Sequence, residues 1–227
     1  MEQSPGEGGV QIRRWSVPDD IQFPDTDPPG YRGFNATLRD RCGKTILDAA
    51  CGKGRWAEWA IKHKRGYHGI DIDQKLVLWC QEQFPNFRFR VGDCRKLPFK
   101  PQQFDTVILV EVIEHLRKEN DVLRALQEAC RVASKCVAVT TPDCTDVDRL
   151  KKHDLTFTHM LENGKGKKLA KTDIAHAHWT FHTKESLAEM LSLLGHPFEL
   201  WRTRRAECLD FPCYTKLEAF IDVSGRA

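Results

Sequence analysis

The fold of this 227-residue chain is decided by the stretch Ile46-Leu47-Asp48-Ala49-Ala50-Cys51-Gly52-Lys53-Gly54. A short apolar run that ends in an acid predicts a strand over 45–48, and a glycine-containing turn follows it. An amphipathic pattern then predicts a helix over 55–64. A strand, a turn and a helix in this order place backbone N–H groups at the first crossover of an open α/β sheet, where such sheets bind ligands. A tight turn without a ligand would contain the same glycines, so this stretch alone leaves both interpretations open.

The same alternation of apolar runs and amphipathic segments continues along the chain. We predict further strands over 67–72, 87–91, 104–110 and 136–140, and two closing strands over 198–202 and 217–223. The intervening helices are predicted over 76–79, 120–133 and 183–195, and a short helix over 35–40 precedes the first strand. This succession is typical of a doubly wound α/β fold with a mostly parallel sheet.

Composition indicates an ordinary globular protein. The chain has 35 Lys or Arg and 32 Asp or Glu, a net charge of +3, and 41% hydrophobic residues, which is too apolar for global disorder. Its best apolar run, 106–113, is interrupted by Glu111, so we expect no membrane span, and the first residues lack the pattern of a secretory signal. Nine cysteines without a Cys-x-x-Cys pair favour reduced thiols in a cytoplasmic protein, with a nuclear location as the alternative.

The chain divides into three parts by composition. Residues 1–30 contain five of the eleven prolines and carry six acids against two bases, which predicts a flexible N-terminal arm. Residues 31–227 then form one domain with a charge of +7. Within it, residues 144–175 are too long for an ordinary connection, and we interpret them as an insertion.

Two acids follow the next strands of the predicted sheet. Asp71 ends the second strand, 19 residues after Gly52, where a carboxylate can accept hydrogen bonds from ribose hydroxyls. Asp93 ends the third strand, where an acid can meet an adenine amino group. One such acid is often only a helix N-cap. Two acids together with the glycine turn indicate a site for a nucleoside-containing ligand.

Five motifs now stand in order along the chain. They are Asp48-Ala49-Ala50-Cys51-Gly52-Lys53-Gly54, Gly69-Ile70-Asp71, Gly92-Asp93, Phe104-Asp105-Thr106-Val107-Ile108 and Glu111-Val112-Ile113-Glu114-His115-Leu116. The chain resembles class I, Rossmann-like S-adenosylmethionine-dependent methyltransferases of the small-molecule branch, well over 44–143 and more weakly over 178–223. The resemblance implies a seven-stranded sheet with an antiparallel last strand, and S-adenosyl-L-methionine as the cofactor.

The resemblance also assigns roles in cofactor binding. It implies that the loop 48–54 cradles the methionine part, that Asp71 binds the ribose, and that Asp93 lies beside the adenine. The family usually has glycine at the position of Ala50, so we expect an altered fit there. The full set implied to contact the cofactor is Asp48, Ala50, Gly52, Gly54, Asp71, Ile72, Asp93, Cys94 and Glu111.

The segment after the fourth strand leaves three interpretations open. Glu114 and His115 can cap or pack the turn and form part of the cofactor wall. Alternatively, His115 is a general base, with Glu111 as a further catalytic candidate. In the third, Glu111, Glu114 and His115 hold a divalent metal together with a later histidine (176, 178 or 182), as in the small-RNA 3′-terminal 2′-O-methyltransferases that this stretch resembles, although the later motif of those enzymes is not evident. We predict a site without metal.

The resemblance implies that the insertion 144–175 lies on the side of the domain where the methyl acceptor binds. We predict the class of acceptor from the charged and ionisable residues of this region. His178 lies near the end of the insertion and is an alternative base. Four lysines within 163–171, with Arg202, Arg204 and Arg205, form a candidate rim for phosphate or carboxylate groups. We therefore predict methyl transfer to oxygen or nitrogen of a small, anionic acceptor. A metal-dependent RNA 2′-O-methyltransferase and a catalytically silent, cofactor-binding partner subunit stay open as alternatives, and no pattern favours an oligomeric state.

Overall fold

A seven-stranded sheet organises the part of the chain that the computed structural model describes, residues 32–145, 178–204 and 215–225. The strands lie in the order β3-β2-β1-β4-β5-β7-β6, and β7 runs antiparallel to both of its neighbours while the other pairings are parallel. This confirms the predicted Rossmann-like fold with its antiparallel last strand. The strands are β1 (Thr45–Asp48), β2 (Gly66–Asp71), β3 (Arg88–Val91), β4 (Phe104–Val110), β5 (Ala133–Pro142), β6 (Phe198–Arg204) and β7 (Thr215–Asp222).

Helices cover both faces of the sheet. The helices are α1 (Arg32–Arg41), α2 (Arg55–Lys62), α3 (Gln74–Gln83), α4 (Glu119–Val132) and α5 (Lys184–Ser192), with a 3-10 turn at Ile113–His115. Alternate residues of β4 divide between two cores: Val107 and Leu109 pack with α4 and α5, whereas Ile108 packs with α1, α2 and α3. A strand covered on both faces needs an unbroken apolar run, which explains why β4 has the predicted bounds.

The parallel strands bring their carboxyl ends to one edge of the sheet. Asp48, at the end of β1, is in register with Gly69 of β2 and with Ile108 of β4. Asp71, at the end of β2, is in register with Val91 of β3. The acids that the sequence places after successive strands therefore lie along the same edge, next to the glycine loop.

Outside β1 and β4, the element boundaries differ from the prediction by up to four residues. β5 begins at Ala133 rather than at 136, because α4 ends at Val132 and the chain enters the sheet without a connecting loop. α1 covers ten residues rather than six. The predicted start of α5 is confirmed: the Thr183 hydroxyl accepts the Ser186 N–H at 3.2 Å, and the Ser186 hydroxyl accepts the Thr183 N–H at 3.0 Å.

The N-terminal arm 1–30, nearly all of the insertion 144–175, the lysines within 163–171, His176 and Arg205 lie outside the described residues. Predictions about them stay predictions. Among the helices of the described residues, none is long and apolar enough to cross a membrane.

Candidate active site

The loop after β1 is tied to the two strands that flank β1. The Ala49 N–H donates to the Ile108 carbonyl at 3.0 Å, and the Cys51 N–H donates to the Ile70 carbonyl at 2.8 Å. Gly52 and Gly54 adopt positive φ angles of 51° and 71°, which favour glycine. A Cβ on Gly54 would lie 2.7 Å from the Phe84 ring, but a Cβ on Gly52 would meet no atom within 4 Å. The loop therefore packs on α3 at Gly54 and leaves open space at Gly52.

The carboxylate of Asp71 holds this loop in place. Its Oδ2 accepts the Gly52 N–H at 2.8 Å and its Oδ1 accepts the Asp73 N–H at 2.9 Å. Ile72, the next residue, leaves 70% of its surface exposed. A carboxylate oxygen can accept more than one hydrogen bond, so Asp71 keeps lone pairs for a ligand beside the open space.

Asp48 lies beneath the loop and is buried. The Tyr67 hydroxyl donates to its Oδ2 at 2.6 Å, and the Ala50 N–H also donates to the carboxyl group. Burial raises the pKa of Asp48 to about 7, despite these hydrogen bonds. Asp48 thus supports the loop through the Ala50 N–H, and the charge of its carboxyl group changes with pH near neutrality.

Asp93 is fixed by the guanidinium group of Arg95. The Arg95 Nη2 lies 2.7 Å from Oδ2 of Asp93, and its Nε lies 3.0 Å from Oδ1. This pairing lowers the pKa of Asp93, whose side chain remains 34% exposed. Cys94 is buried behind it, and Arg95 also reaches Asp121 at 3.3 Å. The structure therefore presents an ionised, oriented carboxylate at the end of β3.

Glu111 follows β4 in an unusual conformation, with φ at +55°. Its Oε1 accepts the Thr140 hydroxyl at 2.8 Å, and its Oε2 lies 2.9 Å from Nζ of Lys216. Both oxygens are thus engaged in a largely buried ion pair. These two partners fix the position of the Glu111 carboxylate, and its role as a catalytic candidate stays a prediction.

Glu114 is buried on the other side of the same turn. The Thr141 hydroxyl donates to its Oε2 at 3.1 Å. Burial and the nearby Glu111 carboxylate raise the pKa of Glu114 well above its usual range. Its backbone carbonyl accepts the N–H groups of Trp179 and Thr180 at 2.6 and 3.2 Å. These bonds attach the chain beyond the insertion to the turn after β4.

His115 and His178 meet at this junction. Their ring centroids are 4.9 Å apart and the rings are nearly perpendicular. Glu114, His115 and His178 each offer one possible ligand atom, and the three atoms lie within 4.8 Å of one another. Of the residues in the metal alternative, the structure thus brings together Glu114, His115 and the later histidine His178, while the Glu111 carboxylate pairs with Lys216.

His182 and Arg202 lie close to the ends of the insertion. His182 is buried and pairs with Asp143 in a β-bridge, and burial lowers its pKa to about 4. The Arg202 Nε donates to Asp143 at 2.7 Å, and its Nη2 donates to the Thr145 hydroxyl at 2.8 Å. The Arg202 guanidinium thus holds the start of the insertion, and the anion-binding rim stays a prediction.

Sequence reasoning missed Lys216 and its neighbour Glu218. Both lie on one face of β7, and both are buried. Charged residues alternating with apolar ones are typical of a strand with one face in water. β7 instead places Leu217, Ala219 and Ile221 in one core and Phe220 in the other, so both of its faces are buried. The resemblance was the one available signal for this burial, because it implied an antiparallel last strand within the sheet.

Comparison with known proteins relates this geometry to a family. Residues 46–135 match the family model described as "Methyltransferase domain". The phthiotriol/phenolphthiotriol dimycocerosates methyltransferase of Mycobacterium tuberculosis is 32% identical over 124 residues, which are 49% of this chain and 46% of that protein. The chain thus matches about half the length of this curated relative.

Solved structures give the same fold. An S-adenosylmethionine-dependent methyltransferase from Methanosarcina mazei superposes with a TM-score of 0.62 at 15% identity, over 82% of this chain and 96% of that one. Magnesium protoporphyrin IX methyltransferase from Synechocystis with bound S-adenosylhomocysteine gives 0.58 at 18% identity, over 83% and 80%. The alternative of a metal-dependent RNA 2′-O-methyltransferase finds no support in these comparisons.

Proposed function

We propose that this chain is a class I S-adenosylmethionine-dependent methyltransferase that transfers a methyl group to an oxygen or nitrogen of a small-molecule acceptor. The observation that carries the proposal is the hydrogen bond from the Gly52 N–H to Asp71. It fixes a carboxylate, which can accept hydrogen bonds from ribose hydroxyls, beside the open space at the glycine loop. The names of two compared proteins support the acceptor class, because they specify phthiotriol dimycocerosates and magnesium protoporphyrin IX.

The residues present fit the cofactor. A nucleoside needs hydrogen-bond acceptors for its ribose and its base, and Asp71 and Asp93 supply ionisable oxygens at adjacent strand ends. The methionine part needs a backbone that it can approach closely, and the space beside Gly52 is free of atoms within 4 Å. Ile72 is exposed next to Asp71, where an apolar side chain can cover a flat base. When bound, S-adenosylmethionine supplies a methyl group on a sulfonium centre that an acceptor oxygen or nitrogen attacks in line.

The chain's own residues then orient the acceptor and move its proton. The turn after β4 carries His115 at the same edge of the sheet as the glycine loop, and an imidazole titrates close to neutral pH. We assign His115 as the group that takes a proton from the acceptor, with His178 as its perpendicular neighbour. Alignment of the acceptor with the methyl group supplies the other part of the acceleration.

A second candidate function concerns the same histidines. The donor atoms of Glu114, His115 and His178 lie within 4.8 Å of one another, and a carboxylate with two imidazoles is a donor set for Mn²⁺, Fe²⁺ or Zn²⁺. In this case a divalent ion, bound by those three residues, would favour the ionised form of an acceptor hydroxyl. His115 would then serve as a ligand rather than as a base.

The decisive experiment uses S-adenosylmethionine with a labelled methyl group. The purified chain is incubated with a small-metabolite extract, and the labelled product is identified by mass. We expect labelled product with the wild type and none with His115→Ala, while both bind S-adenosylhomocysteine in calorimetry. Binding without any labelled product would support a silent partner subunit instead, and absence of binding would overturn the proposal.

The same assay distinguishes the role of His115 as a base from its role as a metal ligand. Activity that survives EDTA assigns His115 as the base and removes the metal candidate. Activity that EDTA abolishes and a divalent ion restores assigns the metal site, and restoration should then fail in His178→Ala.

A further inference from the structure

Lys216 is a buried cation at the edge of the sheet where the site lies. It is the second residue of β7, and 3% of its side chain is exposed. β7 runs antiparallel to β5, so its start lies level with the carboxyl end of β5, where Lys216 is in register with Pro142. A buried, charged ammonium group is strongly destabilising unless a carboxylate partner compensates for its desolvation.

Its charge partner is Glu111. The Lys216 Nζ lies 2.9 Å from Oε2 of Glu111, and the Thr140 hydroxyl binds the other carboxylate oxygen. β5 lies between β4 and β7 in the sheet. The ion pair therefore crosses over β5 and connects the turn after β4 with β7, two parts of the chain that are not neighbours in the sheet.

Two other carboxyl groups face this pair. Glu218 lies two residues along β7 and accepts the Trp201 indole N–H at 3.0 Å. Burial raises the pKa of Glu218 and the pKa of Glu114, which favours their neutral forms. The carboxylate in contact with the Lys216 ammonium group is that of Glu111.

Glu111 needs this support because of its backbone. A φ of +55° is unfavourable for a residue with a side chain, and such conformations persist where surrounding contacts hold them. The Glu111 N–H donates to the Thr140 carbonyl at 3.0 Å, and the side chain is held by Thr140 and Lys216. The turn that starts here carries Glu114 and His115 within four residues.

We propose that Lys216 is a positioning residue of the methyl-transfer site, which holds the Glu111 carboxylate and, through it, the turn that carries Glu114 and His115. This rests on the proposed function. Lys216 is linked to this turn by its ion pair with Glu111. Its effect on the site therefore runs through Glu111, and it should disappear when Glu111 is changed first.

The test is a mutant cycle read by calorimetry with S-adenosylhomocysteine. We expect Lys216→Met and Glu111→Gln each to weaken binding by about tenfold, and the double variant to bind no more weakly than either single variant. Lys216→Arg keeps the charge and should bind within about threefold of the wild type. Lys135→Met, which changes an exposed lysine at the opposite end of β5, should have no effect.

The outcomes distinguish this inference from the proposed function. If the wild type does not bind S-adenosylhomocysteine, the proposed function fails and the cycle is not needed. If the wild type binds and Lys216→Met binds equally well, or if the two single effects multiply in the double variant, the positioning role is overturned.

A buried carboxylate without its partner can also unfold the chain. Should Lys216→Met not fold, the double variant decides, because it removes both charges and leaves no uncompensated group. Its melting temperature should recover toward that of the wild type, while its binding stays about tenfold weaker. Binding that recovers together with the melting temperature would show that the pair only stabilises the fold.

Discussion

The Oδ2 atom of Asp71 accepts the backbone N–H of Gly52 over 2.8 Å, and this contact joins the end of β2 to the loop that follows β1. The two residues are 19 positions apart in the chain. Parallel pairing of β1 and β2 brings them together, since Asp48 is in register with Gly69. One carboxylate therefore shapes the glycine loop and faces the space in which the nucleoside is proposed to bind.

Asp71→Ala is expected to weaken S-adenosylhomocysteine binding by at least about a hundredfold. The substitution removes the acceptor of the Gly52 N–H and two acceptor atoms for ribose hydroxyls, and hydrogen bonds to a charged group contribute roughly 1.5–3 kcal/mol each. Calorimetry measures the loss. The matched control is Asp73→Ala, which removes the side-chain cap of α3 but keeps the N–H that Asp71 accepts. An equal loss of affinity in both variants would contradict the assignment.

The central strands β1 and β4 have the predicted bounds. Each is a short apolar run, which is typical of a parallel strand that is covered on both faces. β5 was predicted too short. Its first residues, Ala133, Ser134 and Lys135, continue the pattern of α4, and the partner strand decides where the helix ends.

The cofactor side of the site was predictable and the acceptor side was less so. Asp71 and Asp93 lie at strand ends, where topology alone determines the edge they occupy. The Glu111–Lys216 pair joins the turn after β4 to β7, which is not a neighbour of β4 in the sheet. No local sequence pattern therefore predicts this ion pair. The approach of His178 to His115 likewise depends on where the chain returns after the insertion.

Gly54→Ala is expected to destabilise the fold by roughly 3 kcal/mol and to weaken S-adenosylhomocysteine binding by about tenfold. The new Cβ would lie 2.7 Å from the Phe84 ring, and the positive φ costs about 1 kcal/mol besides. Urea unfolding and calorimetry measure the two effects. Gly195→Ala is the matched control, because Gly195 has a similar φ of 69° with no atom within 4 Å of the added carbon. It should show only the smaller backbone cost, and equal destabilisation of the two variants would refute the steric account.

Asp93→Asn is expected to reduce the preference for adenine over hypoxanthine in the bound nucleoside. The ionised Asp93 carboxylate, oriented by Arg95, can accept from an amino group but repels a carbonyl oxygen. Wild type should therefore bind S-adenosylhomocysteine at least about tenfold more tightly than its inosine analogue, and Asp93→Asn should narrow this ratio to about threefold. Competition calorimetry gives both affinities. Asp121→Asn, which changes the other partner of Arg95, should keep the wild-type ratio, and an unchanged ratio in Asp93→Asn would exclude this role.

Asp48→Asn is expected to stabilise the chain more at high pH than at low pH. Burial raises the pKa of Asp48 from an ordinary 3.8 to about 7 in the folded protein. A carboxyl group with a raised folded pKa contributes stability that is complete below its unfolded pKa and is lost as pH rises to the folded pKa. Asparagine has no such dependence and can still accept the Tyr67 hydroxyl hydrogen bond. The difference in melting temperature between Asp48→Asn and the wild type should therefore grow by roughly 5 °C from pH 5 to pH 8.

Thermal melts across this pH range test the Asp48 prediction directly. Burial lowers the pKa of His68 and the pKa of His182 to about 4, and both histidines cost stability as pH falls from 6.5 toward 4. They are present in both proteins, so their contribution cancels in the difference. Tyr67→Phe removes a hydrogen bond that favours the ionised carboxylate, and the stability of this variant should therefore fall over a window shifted to higher pH. A constant difference between wild type and Asp48→Asn from pH 5 to pH 8 would mean that burial does not hold the Asp48 proton.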